Sequence, residues 1–211
     1  ATFLKKPKGI RDIEEWYVSL VMRPDYIKAV FERQAEVAVE NLARLHAAVG
    51  DRVSVIQTNG TDFGTQNGPF CSAESYRELF LPYQKRVNGW IHANTPWKTF
   101  MHCCGSIVPL LDLIVEAEFD ILNPVQCSAT GMEPAMLKRR YGAALTFWGG
   151  GVDTQQTLPF GTPDQVREQV QARVETFAPG GGFVFGAIHN VQALTPVQNL
   201  LAMFETLKRY R

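Results

Sequence analysis

Apolar residues along this chain recur at two periods. Residues 13–22 read as a short helix ended by Arg23-Pro24. Over 24–49, Ile27, Val30, Phe31, Ala38, Leu42 and Leu45 fall at helical spacing, with Pro24 at the start and Gly50 at the stop. The β-branched run at 53–58 then reads as a strand, and the alternation repeats. Ser72 caps a helix expected over about 73–93, with Glu74 and Glu78 in its early turns. Strands are expected at 97–103, 119–123, 145–149 and 183–188. Helices are expected at 106–117, 133–141, 163–177 and from Pro196 to about 208.

Five strand cores that are nearly continuous apolar runs, each followed by a helix, predict a parallel sheet covered on both faces. No GxGxxG or P-loop follows any of these strands, so a nucleotide-binding sheet is disfavoured. Unusual polar residues instead gather after the strands, where (β/α)8 barrels keep their active sites. The fold expected is therefore an α/β, TIM-type barrel. With five strands of eight, and no strand ahead of the helix at 24–49, the expectation is one incomplete barrel domain over 1–211. It would be the C-terminal two thirds, lacking roughly a third of the usual ~250 or more residues.

Composition narrows the class. The chain has 211 residues, 45% of them apolar and 20% charged, with 21 basic and 21 acidic residues balancing to zero. No basic excess points to nucleic acid, and no apolar stretch is long enough for a membrane span. The opening residues, ATFLKKPKGI, contain no secretory h-region. Four cysteines, two of them adjacent, are too sparse for a disulfide scaffold. They imply reduced thiols in a cytoplasmic setting.

The candidate chemistry lies after the strands. Asp62 and Gln66 follow the first, in a loop whose Asn, Asp and Gly also suit plain turn chemistry. His102-Cys103-Cys104-Gly105 follows the second. Alternation along a strand sends His102 and Cys104 one way and Cys103 the other, and an imidazole beside a thiolate suits zinc. The bland alternative is a buried His with two buried thiols. Asn123 and Gln126 follow the third strand, placed to hydrogen-bond a polar ligand. Gly149-Gly150-Gly151 and Asp153 follow the fourth. His189 follows the fifth and could complete a three-ligand metal site with His102 and Cys104, leaving a position open for substrate. No Arg or Lys stands at an expected strand end, although a polycarboxylate pocket would call for bidentate Arg.

These stretches resemble the uroporphyrinogen decarboxylase superfamily over about 50–211. The similar segments are HCCG (102–105), DILNPVQ (120–126), Leu137-Lys138, FWGGGVD (147–153) and GFVFGAIHNVQALTPVQNL (182–200). The resemblance implies one of two chemistries. Decarboxylases of the superfamily use no metal and hold carboxylates with basic residues. Corrinoid-linked methyltransferases carry zinc on a His-x-Cys motif plus a later ligand, a Cys in the best-known members. Here His102 and Cys104 match that motif, and His189 is the nearest later candidate.

The function expected is zinc-dependent methyl transfer from a corrinoid or small donor to a thiol. Asp62 and Asp153 are the candidate catalytic groups; Gln66, Asn123, Gln126 and His189 are the candidate substrate contacts. Porphyrinogen decarboxylation is the alternative, and a non-catalytic corrinoid- or metal-binding subunit the third reading. The partners expected are a small-molecule substrate, a corrinoid protein and a second copy of the chain.

Overall fold

The structure is a computed structural model and describes residues 12–210. The start of the chain, ATFLKKPKGI, lies outside the described residues.

Helix α1 (Ile13–Met22) is capped by the Asp12 carboxylate, which accepts the Glu15 N–H at 2.9 Å. Helix α2 (Pro24–Val49) starts on Pro24, whose missing N–H would be unpaired there in any case. It buries Ile27, Phe31, Ala35, Ala38 and Leu42 along one stripe. Strand β1 (Val55–Asn59) follows.

The helix expected over 73–93 is two helices, α3 (Ala73–Leu79) and α4 (Leu81–Asn94). The break falls at Phe80 because Pro82 has no N–H to give the preceding turn and its ring crowds the carbonyl four residues back. Strand β2 (Lys98–His102) leads through a 3₁₀ turn at Val108–Leu110 into α5 (Leu111–Glu116). Strand β3 (Ile121–Asn123), helix α6 (Pro134–Tyr141) and strand β4 (Thr146–Trp148) come next. A short helix, α7 (Thr157–Phe160), was not foreseen in the pattern. Helix α8 (Pro163–Phe177) opens with a full capping box between Thr162 and Gln165. Strand β5 (Phe183–Val184) and helix α9 (Val197–Leu207) end the fold.

All four strand pairings are parallel, in the order β1-β2-β3-β4-β5. The sheet is an open arc of a barrel. The strand expected over 183–188 keeps regular pairing for two residues only. Gly149 and Gly150, at φ 96° and 83°, leave the extended region and shift the register. The ladder then resumes as a parallel bridge between Val152 and Ala187.

Met101, Leu122 and Phe147 are fully buried at the middle of the sheet. One apolar cluster joins them to α1–α6, and a second lies between α8, α9 and the end of β4. No helix among the described residues is long and apolar enough to cross a membrane.

Candidate functional site

The strands deliver their last residues to one face. On β2, Met101 and Cys103 turn into the core at 0% and 1% exposure, while His102 and Cys104 are half-buried on the other side. Their reactive atoms meet, with Cys104 Sγ 3.6 Å from His102 Nε2.

The loop after β1 brings Asp62 to the same place. Its Oδ1 accepts the Cys104 N–H at 2.7 Å. That contact depends on two glycines. A Cβ on Gly64 would meet the Cys104 carbonyl at 2.6 Å, and Gly105, at φ 88°, faces Gly64 just as closely. Asp62, His102 and Cys104 each present a ligand atom within 4.8 Å of the other two.

Asn123 fixes the imidazole. Its amide N–H₂ donates to the Trp148 carbonyl at 3.0 Å, so its Oδ1 is the atom 2.8 Å from His102 Nδ1. An acceptor at that distance calls for the proton on Nδ1, which leaves the Nε2 lone pair directed at Cys104. Asn59, buried beneath, donates to the His102 carbonyl at 3.4 Å and was not singled out in the sequence. Only its place at the end of a strand hinted at it.

Gln126 and Gln66 brace the loops. Gln126 Oε1 accepts the Gly105 N–H at 2.8 Å, and its N–H₂ donates to Gln66 Oε1 at 2.9 Å. Gln66 in turn donates to the Ser128 carbonyl at 2.6 Å. Asp153 is buried at 7% exposure, and its Oδ1 accepts the Gln155 N–H at 2.8 Å. It shapes the loop whose next two residues reach the ligand space.

That space is a cleft of about 350 Å³. Cys104 and Gln126 form one wall and Thr154 and Gln155 another. Ile188, His189, Asn190 and Gln192 form the third. Thr154, Gln155, Asn190 and Gln192 were missed as candidates; adjacency to Asp153 and His189 was the available signal. His189 shares the cleft with Cys104, but the third member of the close trio is Asp62, not His189 as the sequence had it. The reason is local. Ile188 takes the buried position after the Val152–Ala187 bridge, so the next residue faces outward and is exposed.

Burial, with the Asp62 charge adding to it, pushes the Cys104 thiol up to about 12. The uncomplexed side chain is therefore a thiol at neutral pH. The trio offers nitrogen, sulfur and oxygen donors on one open side, a set matched to zinc. The Nε2–Sγ separation is also near the edge of a tetrahedral zinc site, roughly 3.5 Å from ordinary bond lengths.

The family described as uroporphyrinogen decarboxylase (URO-D) matches residues 1–210. A uroporphyrinogen decarboxylase of Pelobacter propionicus is 22% identical over 210 residues, covering 99% of this chain and 56% of the relative. Among solved structures, a methyltransferase from Methanosarcina mazei superposes with a TM-score of 0.70 at 16% identity. That superposition covers 94% of this chain and 54% of the other. The chain thus spans about half the length of the relatives it matches.

Proposed function

Because the chain belongs to the uroporphyrinogen decarboxylase family, we propose that it carries the active face of a zinc-dependent methyltransferase, moving a methyl group from a corrinoid or small methyl donor to a thiol. The observation that carries this reading is the Asp62, His102 and Cys104 trio at the strand ends. Zinc bound there would lower the pKa of an acceptor thiol and present it as a thiolate at neutral pH.

The chain's own groups do the remaining work. His102 offers Nε2 because Asn123 holds the Nδ1 proton. Asp62 holds the Cys104 backbone and brings a carboxylate oxygen to the trio. Gln126, Asn190 and Gln192 give the cleft neutral hydrogen-bonding walls that orient an acceptor without charge. Holding donor and acceptor in line supplies much of the rate in a simple displacement. The methyl group leaves its donor without the bonding pair, a sulfur–carbon bond forms, and the thiol proton goes to solvent.

A second reading, decarboxylation of a porphyrinogen-like polycarboxylate, is favoured by the name of the Pelobacter relative. In it His189 on the cleft wall would bind substrate and no metal would be needed.

One experiment separates the two. Full-length protein is mixed with zinc, methylcobalamin and a panel of thiols, and loss of the methyl–cobalt absorbance is followed. The expected outcome is turnover that falls more than about a hundredfold in Cys104→Ser. Turnover of uroporphyrinogen without metal, equal in Cys104→Ser, would overturn the methyl-transfer reading. Tight corrinoid binding without turnover of either substrate would favour a subunit that only presents its ligand.

A further inference from the structure

A second groove shares no lining residue with the cleft. It has a volume of about 650 Å³ and runs between α7 and the outer side of α8. Gln165, Gln169 and Arg173 line it at successive turns of α8. These positions span about 12 Å at the helical rise, from exposed Gln165 to half-buried Arg173.

What each side chain has left to offer is decided by the bonds it already makes. Gln165 Oε1 accepts the Thr162 N–H at 2.8 Å in the capping box. Gln169 Oε1 accepts the Asp153 N–H at 2.7 Å. Both amide oxygens are committed, so each glutamine has only its N–H₂ to give. Arg173 is a donor by nature, and it makes no hydrogen bond or ion pair with any described residue. Its Nε is fully buried without a partner. A guanidinium left so is costly unless an acceptor arrives. Gln165, Gln169 and Arg173 thus present N–H donors at three consecutive turns, and the deepest carries an unpaired positive charge. The exposed Phe160 ring stands at the rim, and Glu168 is the one acidic residue on the lining.

We propose that this groove is a second ligand site, taking an elongated small molecule that carries several oxyanion groups, one of them seated on Arg173. The guanidinium fork matches a carboxylate or a phosphate bidentately, and the two amides extend the recognition along the helix. The site is independent of the trio, so it stands whether or not methyl transfer does.

Calorimetric titration of the full-length protein with citrate and with pyrophosphate at low ionic strength tests it. Saturable binding of either anion is expected, and the one preferred tells carboxylate from phosphate. Arg173→Gln should weaken binding about tenfold or more, and Arg173→Lys, which keeps the charge but loses the fork, should recover only part of it. Gln165→Glu keeps the capping bond but puts a charge of the wrong sign in the groove. It should weaken binding as much without loss of folding. Cys104→Ser should leave the affinity unchanged. No saturable heat with either anion, or equal affinity in Arg173→Gln, would overturn the site.

Discussion

The two ends of β2 and β3 carry the same kinds of side chain and put them to opposite uses. At the entry end, His92 and Lys98 surround Asp120. Its Oδ2 lies 2.7 Å from His92 Nε2, 2.8 Å from the Thr99 N–H and 3.0 Å from the Thr99 hydroxyl, and its Oδ1 is 3.2 Å from Lys98 Nζ. Its Oδ2 thus has three partners, and its Oδ1 is paired with a cation. At the exit end, Asp62, His102 and Cys104 also cluster, yet His102 Nε2 faces only a thiol at 3.6 Å. A cluster whose charges are paired with one another ties strands together. An unsaturated one, held in shape by neighbours such as Asn123, keeps its lone pairs for something else. This matches the general division of such barrels into a stability face and an activity face.

The comparison breaks most visibly through Asp120→Asn. The substitution removes the charge facing His92 and Lys98 and sets an amide against donors, and the expected loss is about 2–3 kcal/mol of folding stability. Its pH dependence has a definite sign. Burial raises the Asp120 carboxyl, but hydrogen bonds from the Thr99 N–H, contact with His92 and the Thr99 hydroxyl outweigh it. Together they hold the group below the usual carboxylate range. A carboxyl held low in the folded state stabilises above its unfolded pKa, about 4, and that stability is lost as pH falls through the folded value. Urea denaturation should therefore show wild type and variant far apart at pH 7 and converging below pH ~4. A gap that persists at the acid end would mean that packing, not charge, holds this corner.

A smaller effect should appear at the exit end with Asn123→Ala. Without the acceptor at Nδ1, the imidazole can rotate or carry its proton on Nε2, the atom that faces Cys104. Zinc affinity, measured by competition with a chelator, should fall about 10- to 100-fold. Asn123→Asp keeps an acceptor there and should restore most of it. Equal affinity in Asn123→Ala would show that the ring is held by something else.

Much of this was readable from the chain. The period of the apolar residues gives the helices over 13–22 and 24–49 as they stand, and the parallel order of the five strands. Alternation at 102–104 separates Cys103 from Cys104 because a strand has a strict two-residue period. The break at Phe80 was missed although Pro82 signals it. The grouping of Asp62 with His102 and Cys104 was not legible, since 40 residues separate positions 62 and 102 and the loops meet through backbone contacts such as the approach of Gly64 to Cys104 and the Thr65–Ser106 bridge. Nor was the exposure of His189, which depends on where a two-residue strand gives way to an isolated bridge.

The smallest expected effect lies within a single dipeptide. Cys103 is 1% exposed and its sulfur accepts the Phe63 N–H at 3.2 Å, with burial driving the thiol far above its usual range. Its neighbour Cys104 is half-buried and opens on the cleft. Cys103→Ala removes one sulfur from the core and leaves a buried N–H unpaired, which should lower stability by about 1–2 kcal/mol. Zinc affinity should stay within about twofold, because the residue faces away from the trio. Cys104→Ala should do the reverse, with stability changed by less than about 1 kcal/mol and zinc binding lost. Paired urea and chelator titrations on the two variants read both quantities. If Cys103→Ala abolished zinc binding while Cys104→Ala spared it, the ligand sulfur would be the wrong one of the pair, and the division of β2 into a core side and a site side would fail with it.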